Sequence, residues 1–207
     1  MLTLYYAPGT CALASHLALE YSGAPYETVR LDFKQQQQRT PEYLRVNPKG
    51  RVPALVTPQG VLTETPALLQ YIAHAFPAAR LVPLDPFLLA KGNEFNSYLC
   101  STVHVNHAHK GRGYRWVEAE DAASIEAMKK KVPQTMADSF ALIEEHFLKG
   151  PWVLGERMST SDLYLFTIAG WLEGDGVDVN RFPKVAGHMR RLQEQPQVRK
   201  VLAAQQA

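Results

Sequence analysis

Short β-prone segments and helical segments alternate along the first third of the chain. Residues 2–6, Leu-Thr-Leu-Tyr-Tyr, are β-prone, and residues 26–31 have the pattern of a second strand. Between them Leu13 and Leu17 recur at a helical spacing, and Gly23 can end the helix. Two strands joined through a helix are expected to lie parallel, with a right-handed crossover. The pattern therefore predicts a β-α-β unit at the start of the chain.

A hairpin and two further helix starts follow this unit. Residues 52–57 and 61–63 are strand-like and flank Pro58-Gln59-Gly60, which predicts an antiparallel hairpin with a three-residue loop. Thr40-Pro41 and Thr65-Pro66 each have the form of an N-cap residue followed by proline in the first helical turn. The complete order, β-α-β-(α)-β-β-α, is typical of a thioredoxin-like domain.

The pattern changes at residues 75–86, where three prolines interrupt the chain, and only helical patterns follow. They cover 87–110 and 119–148, and Pro133 is expected to kink or divide the second of these helices. The segment Ser-Thr-Ser-Asp at 159–162 has the form of a capping box and predicts another helix start.

These patterns divide the chain into two domains. We predict an α/β thioredoxin-like domain over residues 1–77, a linker over 78–86 and an all-α helical domain over 87–207. The glutamine run at 35–38 is predicted to be a mobile loop within the first domain.

Composition and charge exclude several classes of protein. The 207 residues are 46% hydrophobic and carry a net charge of +2, and Lys129-Lys130-Lys131, the one basic triplet, is predicted to lie on a solvated helix face. This charge is too small and too scattered for a nucleic-acid-binding protein. The two cysteines lack CxxC spacing, and no segment resembles a signal peptide or a membrane span. We therefore expect a cytoplasmic protein without nucleic-acid or membrane partners.

Cys11 follows Pro8-Gly9-Thr10 at the predicted start of the first helix. Unpaired backbone N–H groups and the helix dipole favour a thiolate there, by ~1 kcal/mol, which is less than one pKa unit. This effect predicts a modestly lowered pKa, and full ionisation would need another donor or cation. A buried, inert cysteine is the alternative interpretation.

Two further segments suit the recognition of a peptide-like ligand. Proline in the strand-like run Val52-Pro53 belongs at an edge or a bulge; a trans bond is the ordinary expectation, and the thioredoxin-like order favours a cis bond that exposes the Val52 backbone. Glu64 can pair with an ammonium group, and Thr65 as N-cap offers a hydroxyl and helix-start N–H groups to a carboxylate. A simple helix cap would look the same in sequence.

The order and spacing of these segments resemble the bacterial beta class of glutathione transferases. The resemblance rests on Tyr-Tyr-x-Pro-Gly-x-Cys-x-Leu-Ala-Ser-His at 5–16, Asn-Pro-Lys-Gly-Arg-Val-Pro-Ala-Leu at 47–55, the pair Glu64-Thr65, and the helix-nucleating box with Leu-Tyr-Leu-Phe at 159–166. It covers essentially the whole chain. It implies a thioredoxin-like domain and a helical domain, glutathione as co-substrate, no metal, and a homodimer.

The resemblance also implies roles for individual residues. Cys11 would lie against the glutathione sulfur, and the Val52-Pro53 backbone would hold the cysteinyl moiety. Glu64 with Thr65 would hold the γ-glutamyl head. His104 would face the same thiol from the helical domain, and Thr10 is a further candidate for activating it.

The remaining implied contacts coincide with departures from the family pattern. Ser101, Thr102 and Val103 precede His104 and are predicted to complete the wall of the site, although Thr102 replaces an acidic residue of the family. Ser97 stands where relatives have asparagine. Lys34 is the candidate for the glycyl end of glutathione, but the glutamine run displaces it from the family's lysine position.

The predicted activity is conjugation of glutathione to a small apolar electrophile, with thiol-disulfide exchange through Cys11 as a possible addition. A non-catalytic binding protein and a glutathione-dependent reductase or isomerase are the alternatives. A metal site at His104, His107 and His109 is not expected, because these residues do not share one helix face and no further ligand completes the set. Tyr5 and Tyr6 are alternative hydroxyls for thiol activation, and alternation directs one of them toward the cleft.

Overall fold

The computed structural model describes residues 1–206. Its strands are Leu2–Tyr6 (β1), Tyr26–Arg30 (β2), Ala54–Thr57 (β3) and Gly60–Thr63 (β4). Its helices are Ala12–Ser22 (α1), Pro41–Val46 (α2), Thr65–Ala75 (α3), Pro86–Tyr98 (α4), His104–Arg112 (α5), Ala122–Leu142 (α6), Thr160–Ala169 (α7), Pro183–Gln193 (α8) and Pro196–Gln206 (α9). The last residue of the predicted helical domain, Ala207, lies outside the described residues.

The strands form one mixed sheet in the order β2-β1-β3-β4. β1 pairs parallel with β2, as the β-α-β pattern predicts, and antiparallel with β3. In the β3-β4 hairpin Thr57 pairs with Gly60, so the loop has two residues and the expected three-residue loop is wrong. Gly60 has φ 138°, a value that glycine tolerates, and it can therefore extend the strand instead of ending the loop.

The helix ends of the first domain follow the sequence signals with one exception. Gly23 ends α1 at φ 68°, and the Thr40 hydroxyl accepts a hydrogen bond from Tyr43 N at the start of α2. The N-cap of α3 is Glu64 at φ 75°, and Thr65 is already the first helical residue. The prediction of Thr65 as N-cap is therefore wrong by one residue.

The glutamine run forms a hydrogen-bonded turn, in contrast to the expected mobile loop. The Asp32 N–H donates to Gln37 Oε1 at 2.8 Å, and Gln35 Nε2 donates to Asp32 Oδ2 at 3.0 Å. A short helical turn then spans Gln37–Arg39 and leads to α2. These local contacts explain why the polar run has a defined conformation.

The helical domain is built on long helices. α4 continues through a π-helical turn at Leu99–Val103 into α5, so one helical column spans the whole of the predicted 87–110 segment. α6 includes Pro133 without a break, and its last turn, Ile143–Phe147, is also π-helical. α8 and α9 were not predicted from the sequence.

α1 lies at the centre of the molecule. It contacts α3 in its own layer and α7 and α9 of the helical domain, and Leu17, Ala18 and Leu19 are fully buried. A polar link also joins the two halves of the chain, because the Thr160 N–H at the start of α7 donates to the Leu81 carbonyl at 2.8 Å. No helix among the described residues is long and apolar enough to cross a membrane.

Candidate active site

A continuous cleft separates the sheet domain from the α4-α5 column. One part is lined from the sheet side by Cys11, Val52, Pro53, Glu64 and Thr65 and from the helical side by His104. The adjoining part contains Thr10 and shares Cys11, Val52 and His104 with the first. The structure thus brings together seven of the predicted site residues.

Cys11 precedes α1 and is buried, with 8% of its surface exposed. Its Sγ donates to the Val52 carbonyl oxygen at 3.6 Å. Burial raises the pKa of the Cys11 thiol from 9.0 to about 11, so the expected lowering by the helix start is outweighed. Thr65 lies close enough to lower this pKa somewhat. At neutral pH the thiol is therefore protonated and acts as a hydrogen-bond donor.

Val52 and Pro53 follow a tight turn at Gly50 and lead into β3. The Val52–Pro53 peptide bond is cis, as the thioredoxin-like order favours. Asn47 Nδ2 and the Tyr43 hydroxyl both donate to the Arg51 carbonyl at 2.6 Å, which holds the turn against α2.

Glu64 and Thr65 lie where β4 passes into α3. The Glu64 carboxylate pairs with Lys49 Nζ, which also donates to the Thr63 hydroxyl at 2.7 Å. Thr65 is 3% exposed, and its Oγ1 is buried without a hydrogen-bond partner of ordinary geometry among the described residues. A buried hydroxyl normally has a hydrogen-bond partner. The Thr65 hydroxyl lies close to the Cys11 thiol, and it can take a further partner from a ligand in the cleft.

His104 lines both parts of the cleft from the helical side. Burial, with smaller effects of neighbouring cations, lowers the pKa of His104 from 6.5 to about 4, so its imidazole is neutral at pH 7. Its ring centroid is 4.9 Å from that of Trp171, and Trp171 Nε1 donates to the Gly9 carbonyl at 3.1 Å. Trp171 therefore links His104 to the loop that precedes Cys11.

A buried carboxylate supports this link. His107 stacks on Trp171 with ring centroids 4.2 Å apart, and its Nδ1 lies 2.7 Å from Asp175 Oδ2. Asp175 is 3% exposed. This arrangement fixes the orientation of the Trp171 indole at the cleft.

The Thr10 hydroxyl is occupied by local backbone contacts. It donates to the Ala7 carbonyl at 2.7 Å and accepts from the Ala12 N–H at 3.3 Å. It lies at the edge of the cleft and shapes the turn before α1.

The other predicted site residues do not line the cleft. Lys34 is exposed, Ser101 donates to the Ser97 carbonyl at 2.8 Å, and Val103 is fully buried beside Thr102. Tyr5 packs against Tyr43 and Tyr6 against His16, so these tyrosines belong to the core. Within residues 1–206 no group of three His, Cys, Asp or Glu side chains is placed to hold a metal ion.

Several lining residues were not identified from the sequence. They are Cys100, Tyr164, Trp171, and four arginines, Arg39, Arg51, Arg112 and Arg115. Burial raises the pKa of Tyr164, so its hydroxyl stays protonated. The three-residue spacing of Arg112 and Arg115, near the end of the α4-α5 column, is the one signal in the sequence that could have identified any of these arginines. It indicates that the two side chains lie on one side of the helix, but the fold is needed to show that this side lines the cleft.

Comparisons with known proteins agree with this architecture. The sequence model of the glutathione S-transferase N-terminal domain matches residues 1–74, and that of the C-terminal domain matches residues 121–191. The chain is 32% identical to glutathione S-transferase GstA of Escherichia coli O157:H7, over 98% of both chains.

Solved structures give the same result. A glutathione transferase homologue from Sulfitobacter, determined with bound glutathione, is 46% identical with a TM-score of 0.95, over 99% of this chain and 98% of that one. A beta-class glutathione S-transferase from Sphingomonas chungbukensis is 29% identical with a TM-score of 0.83, over 98% of both chains. By sequence, fold and cleft, the chain belongs to the glutathione S-transferase family of enzymes and resembles its bacterial beta class.

Proposed function

We propose that the protein transfers glutathione to small hydrophobic electrophiles. The observation that carries this proposal is the convergence of Cys11, the Val52 backbone, Glu64 and Thr65 in one cleft. The Sulfitobacter homologue was determined with glutathione bound, and its close similarity supports the same co-substrate here.

In the proposed pose, the groups of glutathione would lie in order along the cleft. Glu64 would exchange its Lys49 partner for the γ-glutamyl ammonium. The Thr65 hydroxyl and the first N–H groups of α3 would bind the neighbouring carboxylate. The Val52 backbone would bind the cysteinyl part. This pose sets the glutathione sulfur beside Cys11 and His104.

The proposed reaction uses a glutathione thiolate. The thiol proton is released to solvent, and the neutral imidazole of His104 can donate a hydrogen bond to the thiolate. The sulfur attacks the electrophilic carbon, and the C–S bond forms as the bond to the leaving group breaks. The protonated Cys11 thiol stabilises the thiolate by donating a hydrogen bond to it. The cleft holds both reactants close together and oriented, which lowers the entropic part of the activation free energy.

Thiol-disulfide exchange through Cys11 is a second proposed activity, because the Cys11 sulfur lies in the same cleft. The Cys11 thiolate would attack glutathione disulfide, form a mixed disulfide and release one glutathione. Since the pKa of Cys11 is about 11, this exchange is expected to be slow at neutral pH and faster in alkali.

Calorimetry with glutathione, followed by assays with chlorodinitrobenzene, tests the proposal. We expect binding and saturable conjugation above the uncatalysed rate. Binding without turnover would indicate a non-catalytic binding protein, or a reductase or isomerase if such substrates react. Absence of glutathione binding would contradict every glutathione-dependent function considered.

The predicted organisation is part of the same proposal. We assign the glutathione subsite to residues 1–77, the linker to 78–86 and the second-substrate wall to the helical domain from 87 onward. We also propose a cytoplasmic, detoxifying homodimer on the family resemblance. Light scattering should give a particle of twice the 23.2 kDa chain mass, and a monomer at micromolar concentration would contradict the dimer.

A further inference from the structure

The part of the cleft that adjoins the glutathione subsite carries a concentration of positive charge. We call it the arginine cluster: Arg39, Arg51, Arg112 and Arg115 line this part together. They come from three separate segments, namely the turn before α2, the turn before Val52, and the end of α5 with the turn that follows. The fold therefore gathers charges that are dispersed in the sequence.

The arginine cluster has no balancing carboxylate. Within residues 1–206 none of its guanidinium groups lies within 4.0 Å of an acidic side chain. Glu64, the acidic residue on the cleft wall, pairs with Lys49, and Asp175 contacts His107 and Lys110. Partial burial and the proximity of Arg51 and Arg112 lower the pKa of Arg115. The positive charges of the cluster therefore repel one another.

Aromatic side chains accompany this charge. Tyr114 and Trp171 line the same part of the cleft with Phe33, and Trp116 lines the adjoining part. Tyr114 and Trp116 are 50% and 45% exposed, so part of each ring is accessible to a ligand, although the ring of His109 already lies against Trp116 with ring centroids 4.4 Å apart. Such surfaces pack well against a flat aromatic ring.

Glutathione alone does not account for four arginines. It carries two carboxylates and one ammonium at neutral pH, and the γ-glutamyl carboxylate and ammonium are matched by Thr65 and Glu64. The glycyl carboxylate can take one arginine, and Arg51 beside Val52 is the nearest along the chain. Arg39, Arg112 and Arg115 then remain for another ligand.

We propose that the second substrate is an aromatic electrophile that carries an anionic group such as a carboxylate or sulfonate. This inference rests on the proposed function and narrows its substrate class. The ring packs on the aromatic side chains, and Arg112 and Arg115 bind the anionic substituent through charge-assisted hydrogen bonds. The cleft thus selects its second substrate by charge as well as by hydrophobicity.

A matched pair of substrates tests the selection. Chlorodinitrobenzoate and chlorodinitrobenzamide with the same ring pattern share the electrophilic carbon, the chloride leaving group and the nitro groups, and they differ in charge. With each rate divided by its uncatalysed rate, we expect kcat/KM to favour the carboxylate by at least about 10-fold, or ~1.4 kcal/mol. The preference should shrink as salt is raised. Equal efficiencies would overturn the inference.

Variants assign the preference to residues. Arg112→Gln and Arg115→Gln should each reduce the ratio of kcat/KM for the carboxylate to kcat/KM for the amide. Arg190→Gln, on the exposed part of α8, is the matched control and should retain it. If both variants instead weaken glutathione binding and slow both substrates equally, the cluster serves the glycyl carboxylate and the inference is wrong.

Calorimetry on the glutathione-loaded protein separates this inference from the proposed reaction. Dinitrobenzoate and dinitrobenzamide lack the leaving group, so they report binding without turnover. Tighter binding of the carboxylate would support the inference even if no conjugation is detected, in which case the transferase proposal alone fails. Equal binding of the two rings would overturn the inference whatever the catalytic result.

Discussion

The thiol of Cys11 experiences two opposing effects. The helix start favours the thiolate by at most ~1 kcal/mol, which corresponds to less than one pKa unit. Burial acts in the other direction and prevails, since the pKa rises from 9.0 to about 11. A protonated donor beside the glutathione sulfur suits conjugation better than rapid disulfide exchange.

Replacement of Cys11 should separate the two proposed activities. We expect Cys11→Ala to lose the mixed disulfide with glutathione entirely, because no sulfur remains at that position. Conjugation of chlorodinitrobenzene should fall by less than ~10-fold, since backbone N–H groups and His104 can still stabilise the thiolate. Mass spectrometry after incubation with glutathione disulfide measures the adduct, and initial rates measure conjugation.

Two variants complete this experiment. Cys100→Ala removes the other thiol that lines the cleft and should preserve the Cys11 adduct. His104→Ala should lower conjugation and leave the adduct able to form. If Cys11→Ala abolishes conjugation while the wild-type protein forms no adduct, Cys11 is an essential activator and the division of roles is wrong.

Glu64 is the residue whose charge should matter most for glutathione affinity. Glu64→Gln preserves the size of the side chain and removes the charge that would pair with the γ-glutamyl ammonium. We expect binding to weaken by ~1–3 kcal/mol, or about 5- to 150-fold, by calorimetry. Glu42→Gln, an exposed acid on α2, is the control. Unchanged affinity in Glu64→Gln would place the γ-glutamyl head elsewhere.

Among the helices and strands, the sequence correctly predicted the elements whose signals lie within a few residues of one another. The β1-α1-β2 unit, the β3-β4 hairpin and the capped start of α7 each depend on contacts between near neighbours in the chain, and each is present. The errors in the hairpin loop and in the N-cap of α3 are one-residue shifts, and they occur at Gly60 and Glu64, which have φ of 138° and 75°. Such conformations are set by pairing and packing that the local pattern does not contain.

The remaining features depend on long-range geometry. The sequence placed Cys11, Val52 and Glu64 near one another only through the predicted domain layout and the family resemblance. The proximity of Arg51 and Arg115 could not be predicted from the sequence, because it depends on how the two domains are placed relative to each other. Likewise, the burial that raises the pKa of Cys11 comes from the completed fold.

Asp162 should be the most sensitive polar residue of α7. It is fully buried; Oδ2 accepts from Ser159 N at 2.7 Å and Ser159 Oγ at 3.0 Å, and Oδ1 accepts from Val153 N at 2.8 Å. His188 Nε2 lies 3.0 Å from Oδ1. Asp162→Ala leaves these donors without a partner, so we expect a loss of ~3–5 kcal/mol in the free energy of unfolding.

Urea unfolding of Asp162→Ala beside Asp121→Ala provides the measurement. Asp121 is an exposed N-cap of α6 that accepts a single hydrogen bond, from Ser124 N at 3.0 Å, so its loss should cost ~1 kcal/mol. Similar costs for the two substitutions would show that burial of the Asp162 network adds little to stability.

At the scale of the whole molecule, α1 connects the site to the far end of the chain. It begins beside the cleft at Cys11, and His16 on its buried face lies with Nδ1 3.2 Å from Gln205 Nε2 on α9. Lys200 of α9 also pairs with Glu20 of α1 at 2.8 Å. The C-terminal helix therefore holds the helix that positions the cleft.

This arrangement predicts that the protein loses stability in mild acid. Burial is the main cause that lowers the pKa of His16 from 6.5 to about 4, and the same holds for His104. A histidine with a depressed pKa stays neutral in the folded state while the unfolded state takes up a proton, so stability falls as the pH drops from 6.5 toward 4. At ~1.4 kcal/mol per pKa unit, each histidine accounts for roughly 3 kcal/mol at most.

Urea unfolding as a function of pH in His16→Gln tests this origin of the acid sensitivity. Glutamine can keep a polar contact with Gln205 and does not titrate. The fall in the free energy of unfolding between pH 6.5 and 4 should therefore be smaller than in the wild-type protein by the contribution of one histidine. His74→Gln, at an exposed position on α3, is the control and should follow the wild-type profile. If His16→Gln loses stability with the wild-type slope, the buried contact between α1 and α9 is not what makes the fold sensitive to acid.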